Sequence, residues 1–330
     1  GGAGGGGEDR MKGMIPRSIG GILAGMMIMT GCGRMEAPEA AAPAAEPAVP
    51  VEVSGERALE EVRNFVQLGP RVSGTEGAER AANYLAERLR ALGVEAEIQE
   101  FRDRAPGGEL VFRNVVGRIP GTGGGMILFG SHYDTKADIA EDFEGANDSG
   151  SSTGLLLELA RVFREDAPHA MEIRLVFFDG EECAEAYGPT DGLHGSRRLV
   201  RQMEADGSLE TVAAMILLDM VGDRNLTVTI PRNSTPELVA KAFDAARAEG
   251  VRRAFQLYPG HILDDHVPFL ERGVPAINLI DFHYGSAPGL NDWWHTPEDT
   301  MDKLSAESLG IAGRVAARMA REMLRESSGK

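Results

Sequence analysis

The chain has 330 residues, 42% hydrophobic and 26% charged, which suits one large α/β domain or two ordinary ones with a sizeable core. Its formal charge of -17 would repel phosphate backbones and argues against a nucleic-acid partner. Its cysteines, Cys32 and Cys183, are too few for a disulfide framework or an all-cysteine metal cage, so any metal must rest on His, Asp and Glu.

Residues 1–10 read as upstream residues, with translation starting at Met11. Residues 11–32 have the pattern of a secretory signal: basic Lys12 and Arg17, then a short apolar run over 19–30. That run is too short to span a bilayer. It ends in Met29-Thr30-Gly31-Cys32, which resembles a bacterial lipobox and predicts a lipid anchor at Cys32. Gly33 lacks the aspartate associated with inner-membrane retention, so the expected location is the periplasmic side of the outer membrane. Residues 33–55 are rich in Ala, Pro and Glu and read as a tether. The folded part is expected over 56–330, as a monomer with no membrane contact other than the anchor.

Apolar spacing predicts helices over 56–67 and 77–92, the second closed by Gly93. Alternating stretches predict strands over 94–101 and 110–119. Short apolar runs over 126–130, 173–178, 214–218 and 276–280 read as buried strands. Helices are expected over 153–163, 236–249 and 304–324. Gly121 to Gly125 lacks the Lys-Ser/Thr ending of a phosphate loop and reads as a turn. The alternation of strands and helices predicts a single three-layer α/β/α domain around a central twisted mixed sheet.

Polar residues collect where the apolar runs end, the place where open α/β sheets bind ligands. The segments are Ser131-His132-Tyr133-Asp134, Gly145-Ala146-Asn147-Asp148-Ser149-Gly150, Asp179-Gly180-Glu181-Glu182, Leu218-Asp219-Met220 and Trp293-Trp294-His295-Thr296. Glu181 and Glu182 repel each other unless a cation or proton intervenes. A metal resolves the conflict, with one carboxylate as ligand and the other as general base. Asp134, Lys136, His261 and His266 read as structural, and His169, His194 and His283 as surface or helix residues. Asn225-Leu226-Thr227 fits a glycosylation triplet but reads as noise.

The order His132, Asp148, Glu181-Glu182, Asp219, His295 resembles the zinc aminopeptidase family that also contains the animal-type glutaminyl cyclases, with the zinc exopeptidase fold. The resemblance covers nearly all of 56–330 and includes Gly69-Pro70-Arg71 and Asn114-Val115-Val116-Gly117. The stretch EECAEAYGPTDGLHGSR from Glu181, the motif Asp264-Asp265-His266-Val267-Pro268-Phe269 and Trp294 before His295 are similar to the cyclase branch. That branch implies one Zn2+, held by Asp148, Glu182 and His295, with Glu181 as base and Asp219 and Asp264 sharing hydrogen bonds with it. It implies a substrate pocket at Trp294, Tyr187, Ile262 and Leu290, and peptide or protein N-termini as substrates, with N-terminal glutamine closed to pyroglutamate.

The sequence departs from that branch in having Tyr187 for a pocket tryptophan, Leu263 for a polar residue, a longer 281–292 loop and no disulfide pair. The ending Thr296-Pro297-Glu298-Asp299-Thr300 is closer to the aminopeptidases. Two rivals remain. A two-zinc aminopeptidase would add His132 and Asp219 as ligands of a second ion, bridged by Asp148. A non-catalytic binding lipoprotein would be expected to have lost a ligand or Glu181, and it has lost neither.

Overall fold

A computed structural model describes residues 50–328. The expected signal segment, Cys32 and most of the tether lie outside the described residues. Residues 50–54, expected as the end of the tether, instead lie against the domain. Val51 N–H donates to Asp166 at 2.7 Å and Ser54 N–H to Glu158 at 2.8 Å, and Val53 is buried. The Val51 and Val53 pair gives this short piece an apolar edge that the Ala/Pro composition upstream lacks.

Helix α1 spans Gly55–Val66 and α2 spans Glu76–Ala91. Their N-caps, Ser54 and Thr75, accept from backbone N–H groups three residues on, the local signal that starts both helices. Strands β1 (Glu95–Ala105) and β2 (Gly108–Ile119) form an antiparallel hairpin turned by Pro106, Gly107 and Gly108. Then come β3 (Met126–His132), α3 (Ser152–Glu165), β4 (Glu172–Phe178), α4 (His194–Asp206) and β5 (Val212–Asp219). The rest is β6 (Val228–Pro231), α5 (Pro236–Ala248), β7 (Phe255–Tyr258), α6 (Val267–Leu270), β8 (Ala276–Ile280) and α7 (Ala306–Ser328).

The main sheet has 6 strands in the order β1-β2-β4-β3-β5-β8. The β2–β4 pair is antiparallel, and β4–β3, β3–β5 and β5–β8 are parallel, so the sheet is mixed as expected. A parallel pair, β6–β7, lies outside it. Side chains alternate across each strand. Ile127, Phe129, Leu175, Phe177, Ile216 and Leu218 point into one core with α1, α2, α3, α5 and α7. Leu128, Val176, Phe178, Met215 and Leu217 point into the other, against Leu199, Val200 and Met203 of α4 and Phe269 of α6. Burial on both faces explains why these strands read as unbroken apolar runs. No described helix is long and apolar enough to cross a membrane.

One histidine differs from expectation: His169 is buried outside any helix, its Nε2 2.7 Å from Phe163 O. His194 is a helix residue as expected, opening α4, with its ring stacked on Phe112 and Nδ1 3.1 Å from Asp103.

Candidate active site

The parallel register brings the strand ends together. His132 closes β3 opposite Phe178, the last residue of β4, so His132 and the Asp179–Glu182 turn emerge side by side. On its other flank β3 pairs with β5, which ends at Asp219. Asp148 comes from the turn Ala146–Ser151 leading into α3, and His295 from the loop before α7.

These side chains converge. His132 Nε2 lies 3.0 Å from Asp148 Oδ1 and 3.4 Å from Asp219 Oδ1. His295 Nε2 lies 3.0 Å from Glu182 Oε1 and 3.3 Å from Asp148 Oδ2. Two ligand groups result, His132–Asp148–Asp219 and Asp148–Glu182–His295; within each, the donor atoms lie within 4.8 Å of one another, and Asp148 belongs to both.

The backbone is shaped to present them. His295 has φ 56° and Met220, directly after Asp219, φ 47°. Side chains other than glycine rarely adopt such values, and strain of this kind concentrates at functional sites. Gly180, at φ 73°, lets the turn after β4 pass against Phe112, whose ring would lie 2.6 Å from an added Cβ. Asp134 holds that turn from below, accepting from Glu181 N–H at 3.2 Å and Glu182 N–H at 3.1 Å. Arg71, fully buried, donates to the carbonyls of Tyr133, Gly69, Glu144 and Gly145 and so ties the Asp148 turn to β3.

The electrostatics ask for a cation. Burial opposes the charge on His295, but its hydrogen bonds to Asp148 and Glu182 outweigh this and push its pKa up to about 10. Burial likewise opposes ionisation of Asp148, yet hydrogen bonds from His132 and His295 hold its carboxyl well below the usual range. Carboxylates and imidazoles alone reach this balance only by loading the imidazoles with protons, and a divalent ion supplies the same charge through direct ligation. Glu182 Oε2 and Asp219 Oδ1 are buried without a hydrogen-bond partner among the described residues, as lone pairs reserved for an ion would be. Lys136 Nζ stands 3.7 Å from Glu182 Oε2.

Glu181 is buried beside this cluster. Burial first, then the charges of Asp264 and Glu182, raise its pKa well above the ordinary carboxylate value against the pull of His132. The resemblance implies that Asp219 and Asp264 share hydrogen bonds with Glu181. Asp264 accepts from Asp265 N–H and from the Asn278 amide on β8, both at 2.6 Å. Burial, then the charges of Asp219 and Asp265, raises the Asp264 pKa well above its usual value. Its charge reaches Glu181, whose carboxylate accepts from the Tyr187 hydroxyl.

Of the expected pocket residues, Trp294 stacks on His295, with ring centroids 4.0 Å apart. Ile262, Phe282, Trp293 and Trp294 pack together against Met220, Ile280 and Tyr284, forming an apolar wall beside the ligands. Leu290 is exposed, in the turn that its N–H closes onto Ala287 O.

The comparisons with known proteins agree with this geometry. The model of peptidase family M28 matches residues 114–320. The chain belongs to peptidase family M28. Within it, the chain is 30% identical to a glutaminyl-peptide cyclotransferase of Drosophila melanogaster, over 76% of this chain and 77% of the relative. Among solved structures it is similar to the glutaminyl cyclase of an Acidobacteriales bacterium, at 36% identity and a TM-score of 0.80, covering 86% of this chain and 99% of the other. A Zn-dependent exopeptidase from Parabacteroides distasonis is 29% identical with a TM-score of 0.72, covering 81% of this chain and 98% of that one. The His, Asp and Glu donor set of this M28 chain suits zinc, which takes such ligands and leaves a position open in catalytic sites.

Asp299 escaped the sequence reading as a functional residue. It accepts from Asn147 N–H at 2.7 Å, Asp148 N–H at 3.1 Å and the Tyr284 hydroxyl at 2.7 Å, fixing the Asp148 turn from behind. The sequence signals were its place four residues after His295 and its inclusion in the aminopeptidase-like ending Thr296-Pro297-Glu298-Asp299-Thr300. Groups that orient a metal ligand are typically worth about 10- to 100-fold in metal affinity. Asp299→Ala is therefore expected to weaken zinc binding by roughly that factor, measured by competition with a chromogenic chelator. Unchanged affinity would show that the turn holds its shape without Asp299.

Proposed function

We propose that the chain is a zinc-assisted glutaminyl-peptide cyclotransferase, converting the N-terminal glutamine of peptides or proteins to pyroglutamate with release of ammonia. The observation that carries this reading is the likeness, over nearly the whole folded part, to proteins named glutaminyl cyclases. The buried Glu181 beside the Asp148–Glu182–His295 group supports it.

In this reading Asp148, Glu182 and His295 hold one zinc ion, which supplies Lewis-acid polarisation of the substrate's side-chain amide carbonyl when bound. The substrate's own α-amine attacks that carbon. A C–N bond forms, closing the five-membered ring, and the bond to the side-chain nitrogen breaks. Glu181 takes a proton from the attacking amine and returns it to the departing nitrogen, which leaves as ammonia. Its raised proton affinity suits it to hold that proton and then give it up. Asp264 raises the proton affinity of Glu181 by its charge, and Asp219 in turn acts on Asp264. Trp294 and Ile262 wall the pocket. The reaction is intramolecular, so holding the glutamine side chain against its own amine supplies much of the rate.

A second reading has a specific observation behind it. His132, Asp148 and Asp219 also meet, as a second ion would require, so a two-zinc aminopeptidase is the alternative. Mass spectrometry of a glutamine-initiated peptide incubated with the zinc-loaded protein separates the two. Loss of ammonia with every residue retained, faster than the spontaneous rate, is the expected result. Release of the whole first residue would replace the cyclase with the aminopeptidase.

We further propose that the protein is a monomer anchored through a lipid on Cys32 to the periplasmic face of the outer membrane. The supporting observation is the basic, apolar and cysteine pattern of residues 11–32. Labelling with a radioactive fatty acid, lost in Cys32→Ala, tests the anchor.

A further inference from the structure

The Glu181 carboxylate is held by the side chain of Tyr187. The Tyr187 hydroxyl lies 2.9 Å from Oε1 and 3.1 Å from Oε2, so one proton is shared between both oxygens. A donor straddling both oxygens fixes the rotation of the carboxylate about its last bond.

The loop carrying Tyr187 is built to deliver that hydroxyl. Asp191 accepts from the N–H groups of Ala184, Glu185 and Ala186 at 2.6, 2.9 and 2.9 Å. Gly188 and Asp191 pair backbone to backbone, and Arg197 ties the carbonyls of Gly188 and Gly192 at 2.7 and 3.0 Å. Gly192 has φ 78°, and a Cβ there would stand 2.5 Å from Tyr187 Cδ1, so the ring rests directly on that glycine. The carboxylate's own backbone is pinned as well: Glu181 N–H goes to Asp134 and its carbonyl accepts from Leu193 N–H. Backbone, loop and ring are all held, and the hydroxyl meets a fixed target.

We propose that Tyr187 is a positioning residue for Glu181, holding the base oriented toward the substrate amine, rather than an aromatic wall on which substrate stacks. The proposal rests on the cyclase function put forward above. It assigns the work to the hydroxyl, so it distinguishes tyrosine from every other aromatic at this position.

Tyr187→Phe keeps the ring on Gly192 and removes only the hydroxyl. A hydrogen bond to a charged group is worth about 1.5–3 kcal/mol, so kcat is expected to fall roughly 10- to 100-fold with KM unchanged. Tyr187→Trp should lose kcat at least as far, since it restores an aromatic surface without the hydroxyl. In a Glu181→Gln background, Tyr187→Phe should cost nothing further, because the group it orients is gone. Zinc content should stay at the wild-type value in Tyr187→Phe, and the protein should remain folded at the assay temperature with a thermal midpoint lower by several degrees at most. Wild-type kcat in Tyr187→Phe, a rise in KM alone, full activity in Tyr187→Trp, or a loss that tracks zinc content or unfolding would each overturn the assignment. A wild-type protein that releases no ammonia overturns the cyclase reading and this inference with it. An active wild type with an equally active Tyr187→Phe removes Tyr187 alone.

Discussion

Glu181→Gln is expected to bind zinc as the wild type does and to lose cyclisation by roughly 10²–10⁴-fold, the usual worth of a positioned general acid–base group. The substitution keeps the shape of the side chain and an oxygen to accept from Tyr187. It removes only the capacity to take up a proton. Glu181 is in neither ligand group, so the ion should stay. Metal content by atomic emission and kcat on a glutamine peptide give the two readouts. Activity retained with zinc in place would remove Glu181 from the proton path, and activity lost together with zinc would make it a ligand rather than a base.

The fold was legible in the sequence where burial on both faces wrote continuous apolar runs, as in 173–178 and 214–218. It was illegible where the signal is short or mixed. The β6 and β7 strands are only 4 residues each. Helix α4 opens from Leu193 in a left-handed conformation and carries a strongly charged outer face, so neither its start nor its period stood out. At the site, residue types and strand ends marked the candidate segments, and the family resemblance singled out Asp148, Glu182, His295, His132 and Asp219 among them. Atom-level pairings were not legible. Resemblance puts Tyr187 on a pocket wall, and only the folding of the 184–192 loop around Asp191 turns its hydroxyl onto Glu181. Asp264 reads as a neighbour of Glu181, but the Asn278 amide that holds its carboxylate comes from a separate strand that the motif does not reveal. Asp299 had no adjacent apolar run to mark it, because it works on backbone N–H groups 151 and 152 positions away.

The ion count follows from a pair of substitutions at Asp148 and Asp219. Asp148 meets His132 through one oxygen and His295 through the other, so it is the ligand both groups share. Changing a group that merely orients a ligand costs about 10- to 100-fold in affinity, and loss of a ligand itself should exceed that. Asp148→Asn is therefore expected to leave the protein without stoichiometric zinc and without turnover. Asp219→Asn reaches only the His132 group. In the one-zinc scheme it keeps the wild-type ratio of one ion per chain, and any lost activity comes through Asp264 and the proton network around Glu181. In the two-zinc scheme the wild type carries two ions and Asp219→Asn carries one. The wild-type ratio together with that of Asp219→Asn thus decides whether His132 and Asp219 hold a metal or only shape the charge around the base. A full zinc complement in Asp148→Asn would contradict both schemes, since each routes its metal through that carboxylate.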